Sequence, residues 1–303
     1  MKKTVLITTS SFSAGGFDKN IKVVNNPYKR RLSEIEVIEL IEIHQPVGIL
    51  AGVEPLTKKV MEKAVNLKVI SRCGIGLDSV DLDAAKELNI SVLNTPDAPK
   101  EAVAELALGM ILSVLRNIPA LDRNIRNGNW KGPKGLLLEN RTVGIIGCGR
   151  IGSRLSEMLK PFGCSLKGYD PKVKAHEQIN MIGLDELIEK SDIITLHIPL
   201  SASTKNILSG ERIRKMKRGA ILINTSRGGL VDEEVLYEML FNGHLYGAAL
   251  DCFMEEPYTG KLKVLDNVVL SPHMGSSTFK TREIMERSAV DNLMAELKRR
   301  HVL

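Results

Sequence analysis

The sequence predicts an α/β fold of two parallel-sheet domains, Rossmann-like or flavodoxin-like, with a cleft between them. Three observations predict it. Apolar runs of strand length alternate with helix-period segments almost from end to end. A glycine-rich turn, Gly147-Cys148-Gly149-Arg150-Ile151-Gly152, stands between a buried-strand pattern and a helical one. The chain has 303 residues, enough for two ordinary domains, and is 43% hydrophobic and 26% charged, the balance of a folded globular chain.

The alternation opens with an expected strand from Val5 to Thr8, a helix from Ser33 to Ile43 and a strand from Val47 to Ala51. A helix from Thr57 to Ala64, a strand from Lys68 to Ser71, a helix from Leu82 to Leu88 and a strand from Ser91 to Leu93 follow. Asn94-Thr95-Pro96 then breaks regular structure, because proline restricts itself and its predecessor. A domain crossing is expected there. Val103, Leu106, Ala107, Met110, Ile111 and Val114 recur at three and four residues and form one wide apolar helix face. That face is suited to burial within one subunit or against another. A second α/β unit starts at Thr142 and runs to about Leu270. The last helix, Lys280 to Arg300, offers Ile284, Ala289, Leu293 and Leu297, and its return to the first domain would make that domain discontinuous. The expected division is residues 1–97 with 279–303 as one domain and 98–278 as the other; the family resemblance given below implies that the first binds substrate and the second the nucleotide.

The net charge of +6 is scattered in short clusters with no basic stripe interleaved with aromatics, so no nucleic-acid partner is expected. Cys73, Cys148, Cys164 and Cys252 form no C-x-x-C and no metal spacing with histidine, so neither disulfides nor a metal site is expected. The apolar run after Lys2-Lys3 is too short for a signal peptide, and no run reaches membrane-spanning length. A cytoplasmic protein with no membrane partner is the resulting expectation.

The glycine turn is G-x-G-x-x-G in the context that dinucleotide binding requires. Val143, Ile145 and Ile146 precede it as a buried strand, and Leu155, Met158, Leu159 and Phe162 follow at helical spacing. Gly163 stops the helix, Ser165 to Tyr169 makes the next strand, and Asp170 stands at its end. Gly147 makes the tight turn, Gly149 lets backbone approach a pyrophosphate, and Gly152 lets helix and strand pack closely. The helix N-terminus supplies N–H groups and positive dipole. Asp170 accepts from ribose hydroxyls and repels a 2′-phosphate, which selects NAD over NADP.

Three further stretches follow expected strands. They are Thr225-Ser226-Arg227-Gly228-Gly229, Asp251-Cys252-Phe253-Met254-Glu255-Glu256-Pro257 and Ser271-Pro272-His273-Met274-Gly275. Carboxyl ends of parallel strands are where such folds place their sites. With the glycine turn, Arg72-Cys73-Gly74-Ile75-Gly76-Leu77-Asp78-Ser79-Val80-Asp81 and Asn94-Thr95-Pro96, these stretches resemble the D-isomer-specific 2-hydroxyacid dehydrogenase family over nearly the whole chain. The nearest likeness is to its phosphoglycerate dehydrogenase branch.

The resemblance implies an NAD-dependent enzyme acting on a small 2-hydroxy or 2-keto acid, usually a homodimer held largely by the NAD domains. The periodic helix at Glu101 to Leu115 is similar to one of the family's interface helices. It implies that His273 is the general acid/base, Glu256 its carboxylate partner, and Arg227 the holder of the substrate carboxylate and C2 oxygen. Asp251 would bond the nicotinamide carboxamide, and Arg72 with the Gly74-Ile75-Gly76 backbone would receive the substrate carboxylate. Arg150, Ile151, Thr204, Thr225 and Gly275 match cofactor-lining positions; His197 matches a segment near adenine or is a buried strand-end histidine. Glu255 rivals Glu256, but Glu256 directly precedes Pro257 as the family's catalytic glutamate does. Cys73 and Cys252 read as packing residues, and Asp78 and Asp81 as loop-shaping or helix-capping ones.

The first substrate implied is 3-phosphoglycerate, oxidised in serine biosynthesis; glyoxylate or hydroxypyruvate reduction is the alternative. Ala51 stands where some phosphoglycerate dehydrogenases carry a phosphate-holding arginine, with Arg72, or Trp130 and Lys131 of a partner copy, as substitutes. The chain ends at Leu303, so no regulatory C-terminal extension and no serine inhibition are expected. A binding module that only senses NADH is the remaining class, disfavoured because all three catalytic positions are filled.

Overall fold

The computed structural model describes residues 2–303. The chain divides into two compact units, Met1–Pro99 with Ser276–Leu303, and Lys100–Gly275.

In the first unit β1 (Lys3–Ile7), β2 (Ile21–Asn25), α1 (Glu34–His44), β3 (Gly48–Ala51), α2 (Lys58–Lys63), β4 (Val69–Arg72), α3 (Leu82–Glu87) and β5 (Ser91–Leu93) follow in order. The strands pair in parallel in the order β2-β1-β3-β4-β5. The sequence reading missed β2. It is a half-exposed edge strand reached through a loop instead of a helix, so the alternation that marks the others does not mark it. Each helix start carries its cap. Ser33 and Glu36 form a capping box on α1, and Thr57 and Asp81 accept from Val60 N and Ala84 N on α2 and α3.

The second unit contains α4 (Lys100–Leu115), α5 (Ile118–Arg126), β6 (Thr142–Ile146), α6 (Arg150–Leu159), β7 (Ser165–Tyr169), β8 (Asn180–Met181), α7 (Leu184–Lys190) and β9 (Ile193–Leu196). It continues with α8 (Gly210–Lys215), β10 (Ile221–Asn224), α9 (Glu233–Phe241), β11 (Gly247–Leu250) and β12 (Val268–Leu270). Its seven strands pair in parallel in the order β12-β11-β10-β9-β6-β7-β8, so chain direction across the sheet reverses between β6 and β9. The wide face of α4 is buried within this unit: Ala104, Ala107 and Ile111 are fully covered, together with Val143, Ile145 and Ile223. α5, absent from the sequence reading, buries no residue; its Ile118 and Ile125 are exposed. Phe162, expected on the buried face of α6, falls in a 3-10 turn beyond it and is exposed.

The last helix, α10 (Phe279–Arg299), lies in the first unit. Its buried stripe is Thr281, Met285, Glu286, Ala289, Val290, Leu293, Met294 and Leu297, of which Ala289, Val290, Leu293, Met294 and Leu297 pack with Val5, Leu50 and Val69. Ile284, expected on that stripe, is one residue out of phase and exposed. Each fully buried aliphatic side chain here contributes about 1.5–3 kcal/mol over its exposed state. The surface pair Arg299–Glu296 contributes about 0–1 kcal/mol. Packing therefore docks this helix. No single helix among the described residues is long and apolar enough to cross a membrane.

Candidate active site

Register brings the second unit's site residues to one line. Ile146 pairs with Tyr169 and Leu196, Leu196 with Asn224, Asn224 with Leu250, and Leu250 with Leu270. The next residue on each strand is therefore Gly147, Asp170, His197, Thr225, Asp251 and Ser271. Six positions far apart in sequence share one carboxyl edge of the sheet, beside the reversal between β6 and β9.

On that edge the glycine turn leads into α6. Gly147 has φ 98°, and a Cβ there would lie 2.5 Å from the His197 carbonyl, so only glycine fits. Gly149 is the N-cap of α6 without a side-chain cap, and a Cβ there would meet nothing within 4 Å. Open space in front of uncapped N–H groups fits a pyrophosphate. Asp170 Oδ2 accepts from Cys148 N at 2.9 Å, and Oδ1 accepts from Lys172 N and Val173 N. The carboxylate is thus fixed beside the turn. Thr225 Oγ1 and His197 Nδ1 are buried without a partner among the described residues. Two orphaned polar atoms on the edge that carries the glycine turn fit a bound polar cofactor. His197 Nε2 bonds Thr195 Oγ1 at 2.9 Å, and burial pushes the imidazole down to about 4, so it is neutral. Thr204, also expected at the cofactor, uses its hydroxyl within its own turn, donating to Pro199 O at 2.6 Å and accepting from Ser201 N at 2.8 Å. Arg150 is exposed and Ile151 half-buried at the start of α6.

The three expected catalytic residues occupy neighbouring loops of this edge. Both carboxylate oxygens of Glu256 lie 3.0 Å from His273 Nδ1, which leaves Nε2 for a proton in transit. Glu255 has no such contact with the imidazole, and the choice between the two glutamates falls on Glu256. Arg227 is half-buried and donates from Nη1 to Ser226 O at 2.7 Å. Its loop is pressed onto the acidic loop. A Cβ on Gly228 would lie 1.8 Å from the Phe253 carbonyl carbon and 2.2 Å from Met254 N.

Asp251 was expected to face a nicotinamide. In the structure its carboxylate is 1% exposed and holds the histidine loop: Oδ1 accepts from Ser271 Oγ (2.5 Å) and Met274 N (2.7 Å), Oδ2 from Gly275 N (2.7 Å). Those bonds bracket His273, whose φ is 54°. Ser271 was not singled out from the sequence, because a lone serine after a strand carries no signal. Cys252 is buried, and burial raises its thiol, as burial raises that of Cys73 to about 12; both are packing residues.

In the first unit the Arg72–Gly76 stretch leaves the carboxyl end of β4. One expectation needs correction there. Gly74 N donates to Thr95 Oγ1 at 2.8 Å and Gly74 O accepts from Thr95 N, so this amide is spent on the loop's own latch and is not part of an anion cradle. Asn94 Nδ2 adds a second latch to Ile75 O at 2.7 Å. Arg72 is half-buried with Nη1 on Cys73 O at 2.6 Å, and Ile75 is exposed. Asp81 caps α3, as its position suggested.

Residues 108–275 match the model of the D-isomer specific 2-hydroxyacid dehydrogenase NAD binding domain. The chain is 41% identical over 272 residues to a hydroxypyruvate reductase of Thermotoga maritima, covering 87% of this chain and 89% of that one. It is 42% identical over 255 residues to a D-3-phosphoglycerate dehydrogenase of Methanocaldococcus jannaschii, covering 82% of this chain and about half, 48%, of that longer protein. A D-lactate dehydrogenase from Aquifex aeolicus, solved with NAD and lactic acid, superposes with a TM-score of 0.82 at 27% identity over 98% of this chain and 96% of its own. A nucleotide-binding turn, a paired imidazole and carboxylate, and these likenesses agree: the chain belongs to the D-isomer-specific 2-hydroxyacid dehydrogenase family, NAD(H)-dependent oxidoreductases, and residues 108–275 are its NAD-binding domain.

Proposed function

We propose that this protein reduces a short, unphosphorylated 2-keto acid of the hydroxypyruvate or glyoxylate type, and oxidises the corresponding D-2-hydroxy acid in reverse. The observation that carries the chemistry is the Glu256–His273 pair at 3.0 Å, on a loop anchored to a buried aspartate. NAD(H), when bound, supplies or accepts the hydride at C2 of the substrate. His273 Nε2 gives a proton to the C2 oxygen during reduction and takes it back during oxidation. Glu256 fixes the tautomer and the orientation of the ring through Nδ1. Arg227 holds the substrate carboxylate and the developing charge on the C2 oxygen in a planar, two-pronged contact. In the first unit, Arg72 and the amides of Ile75 and Gly76 supply an anion-binding loop; Gly74 contributes shape and not a donor. Gly147, Gly149 and the start of α6 hold the pyrophosphate, Asp170 the ribose, and Thr225 the nicotinamide side.

The case against a phosphate rests on Ala51. Its side chain is 1% exposed in the core, and the next residue, Gly52, donates its N–H to the buried carboxylate of Glu54, which also accepts from Thr8 Oγ1. A buried acidic side chain stands beside the position where a phosphate-holding cation would be required. The second reading, D-3-phosphoglycerate oxidation, is favoured by the Arg72 guanidinium at the end of β4 and by the relative of that name. Purified protein assayed with NAD(H) against hydroxypyruvate, glyoxylate, pyruvate, 2-ketoglutarate and 3-phosphoglycerate separates them by kcat/KM. A dominant 3-phosphoglycerate activity overturns the first reading, and no turnover with any of them overturns both.

We place a second copy of the chain against α5 and the loop after it. Ile118 and Ile125 are about half exposed, and Trp130 and Leu137 are 90% and 67% exposed. This differs from the expectation for α4, whose apolar face is already covered by its own unit. A monomer by sedimentation at working concentration contradicts this placement.

A further inference from the structure

We infer that Glu233 is a positioning residue for the reaction, the strut that fixes the Glu256 loop to the start of α9 behind Arg227. The inference rests on the functional reading above. Glu233 is the first residue of α9 and Asp232 is its cap, with Asp232 Oδ1 accepting from Val235 N. The side chain of Glu233 does not join that cap. Its Oε1 accepts from Met254 N at 2.7 Å, across to the loop after β11.

Met254 is two residues before Glu256, and two contacts hold Phe253 and Met254 in place. Phe253 N donates to Glu256 Oε1 at 3.1 Å. The Phe253–Met254 peptide packs on Gly228 at a distance that admits no side chain. The Met254 amide is therefore where the guanidinium loop and the carboxylate loop meet, and Glu233 is the side chain that accepts from it. Removing the acceptor hands that N–H to solvent and frees the loop to rotate Glu256 away from His273.

The neighbours say which property of Glu233 matters. Burial, and after it the charges of Glu234, Glu255 and Glu256, push its carboxyl up from the ordinary range, while the bond from Met254 N pulls it down. Burial and the neighbouring carboxylates oppose a negative charge here, while the oxygen that reaches Met254 N is what the geometry uses. Reach and charge are separable by substitution. Glu233→Gln keeps the reach and removes the charge; Glu233→Asp keeps the charge and falls one methylene short; Glu233→Ala removes both.

The experiment measures kcat, KM, NADH Kd, Tm and amide hydrogen exchange at Met254 for the wild-type chain and these variants. Gln is expected to keep kcat within about 3-fold of wild type. Asp and Ala are expected to lose about 10- to 100-fold in kcat with NADH Kd unchanged, the scale of a misplacement near one ångström. Met254 amide protection should survive in Gln and fall in Asp and Ala. Should Ala fail to fold, the Asp-against-Gln contrast carries the test. Asp matching wild type, or Gln failing as badly as Asp, overturns the inference. If the wild-type chain turns over no 2-keto acid, the functional reading falls, and the exchange pattern alone still decides whether the strut exists.

Discussion

Replacing Asp251 by asparagine separates a loop anchor from a bystander. The wild-type carboxylate is buried and accepts from Ser271 Oγ, Met274 N and Gly275 N. Asparagine keeps one oxygen, enough for Ser271 and Met274, and turns its amide N–H toward the N–H of Gly275. One charge-assisted bond is lost, about 1.5–3 kcal/mol, and a buried donor is left facing a donor. Taking about 2 kcal/mol, and about 2–4 °C per kcal/mol for a domain of this size, Tm of this unit should fall by about 4–8 °C. His273 sits between the bonded Ser271 hydroxyl and the bonded Met274 amide at a φ of 54°, a conformation that a side-chain-bearing residue keeps only when its surroundings hold it. Slackening those bonds should therefore reduce kcat by about 10²-fold as the imidazole drifts from its productive place. Calorimetry and steady-state kinetics on the same preparation check both. An unshifted transition with wild-type kcat refutes the anchor.

Two other outcomes follow from the same structure. Gly149→Ala places a methyl in open space at the start of α6, so Tm should hold while NADH affinity falls by more than about 10-fold, read by fluorescence titration; unchanged affinity removes the turn from pyrophosphate binding. Glu296, held by Arg299, Ser91 and Arg300, has its carboxyl lowered to about 2 from an ordinary 4.5. A lowered folded-state value means the stabilisation is complete above about pH 4.5 and is lost as pH falls toward 2. Glu296→Gln should therefore melt lower than wild type at neutral pH and converge with it near pH 2; a constant gap contradicts that linkage.

Most elements were legible because burial and period coincide in them. β3, β10 and β11 are buried at every position and read as continuous apolar runs. β2 was not legible: it is an edge strand and pairs on one side only. α5 was not, because it has no buried face to impose a period. At the site, Gly147 was legible because turn geometry restricts its position to few residue types, whereas Glu256 and His273 were named only through the resemblance of their stretches to the family. Asp251, Thr204 and Gly74 were named, but their bonds within the protein were not foreseen. A sequence shows which residue has a carboxylate or an amide, and only the folded loop shows where the donors point. Glu233 went unmarked for the same reason: its target is a backbone N–H, which leaves no trace in residue type.

If His273, held by Glu256, moves the proton that accompanies hydride transfer, its loss must slow that transfer. A single-turnover measurement of NADH oxidation by hydroxypyruvate, comparing wild type with His273→Ala, tests it most directly. Equal NADH affinity and a rate about 10²–10⁴-fold lower are expected in the variant. Equal rates in the two proteins would contradict it.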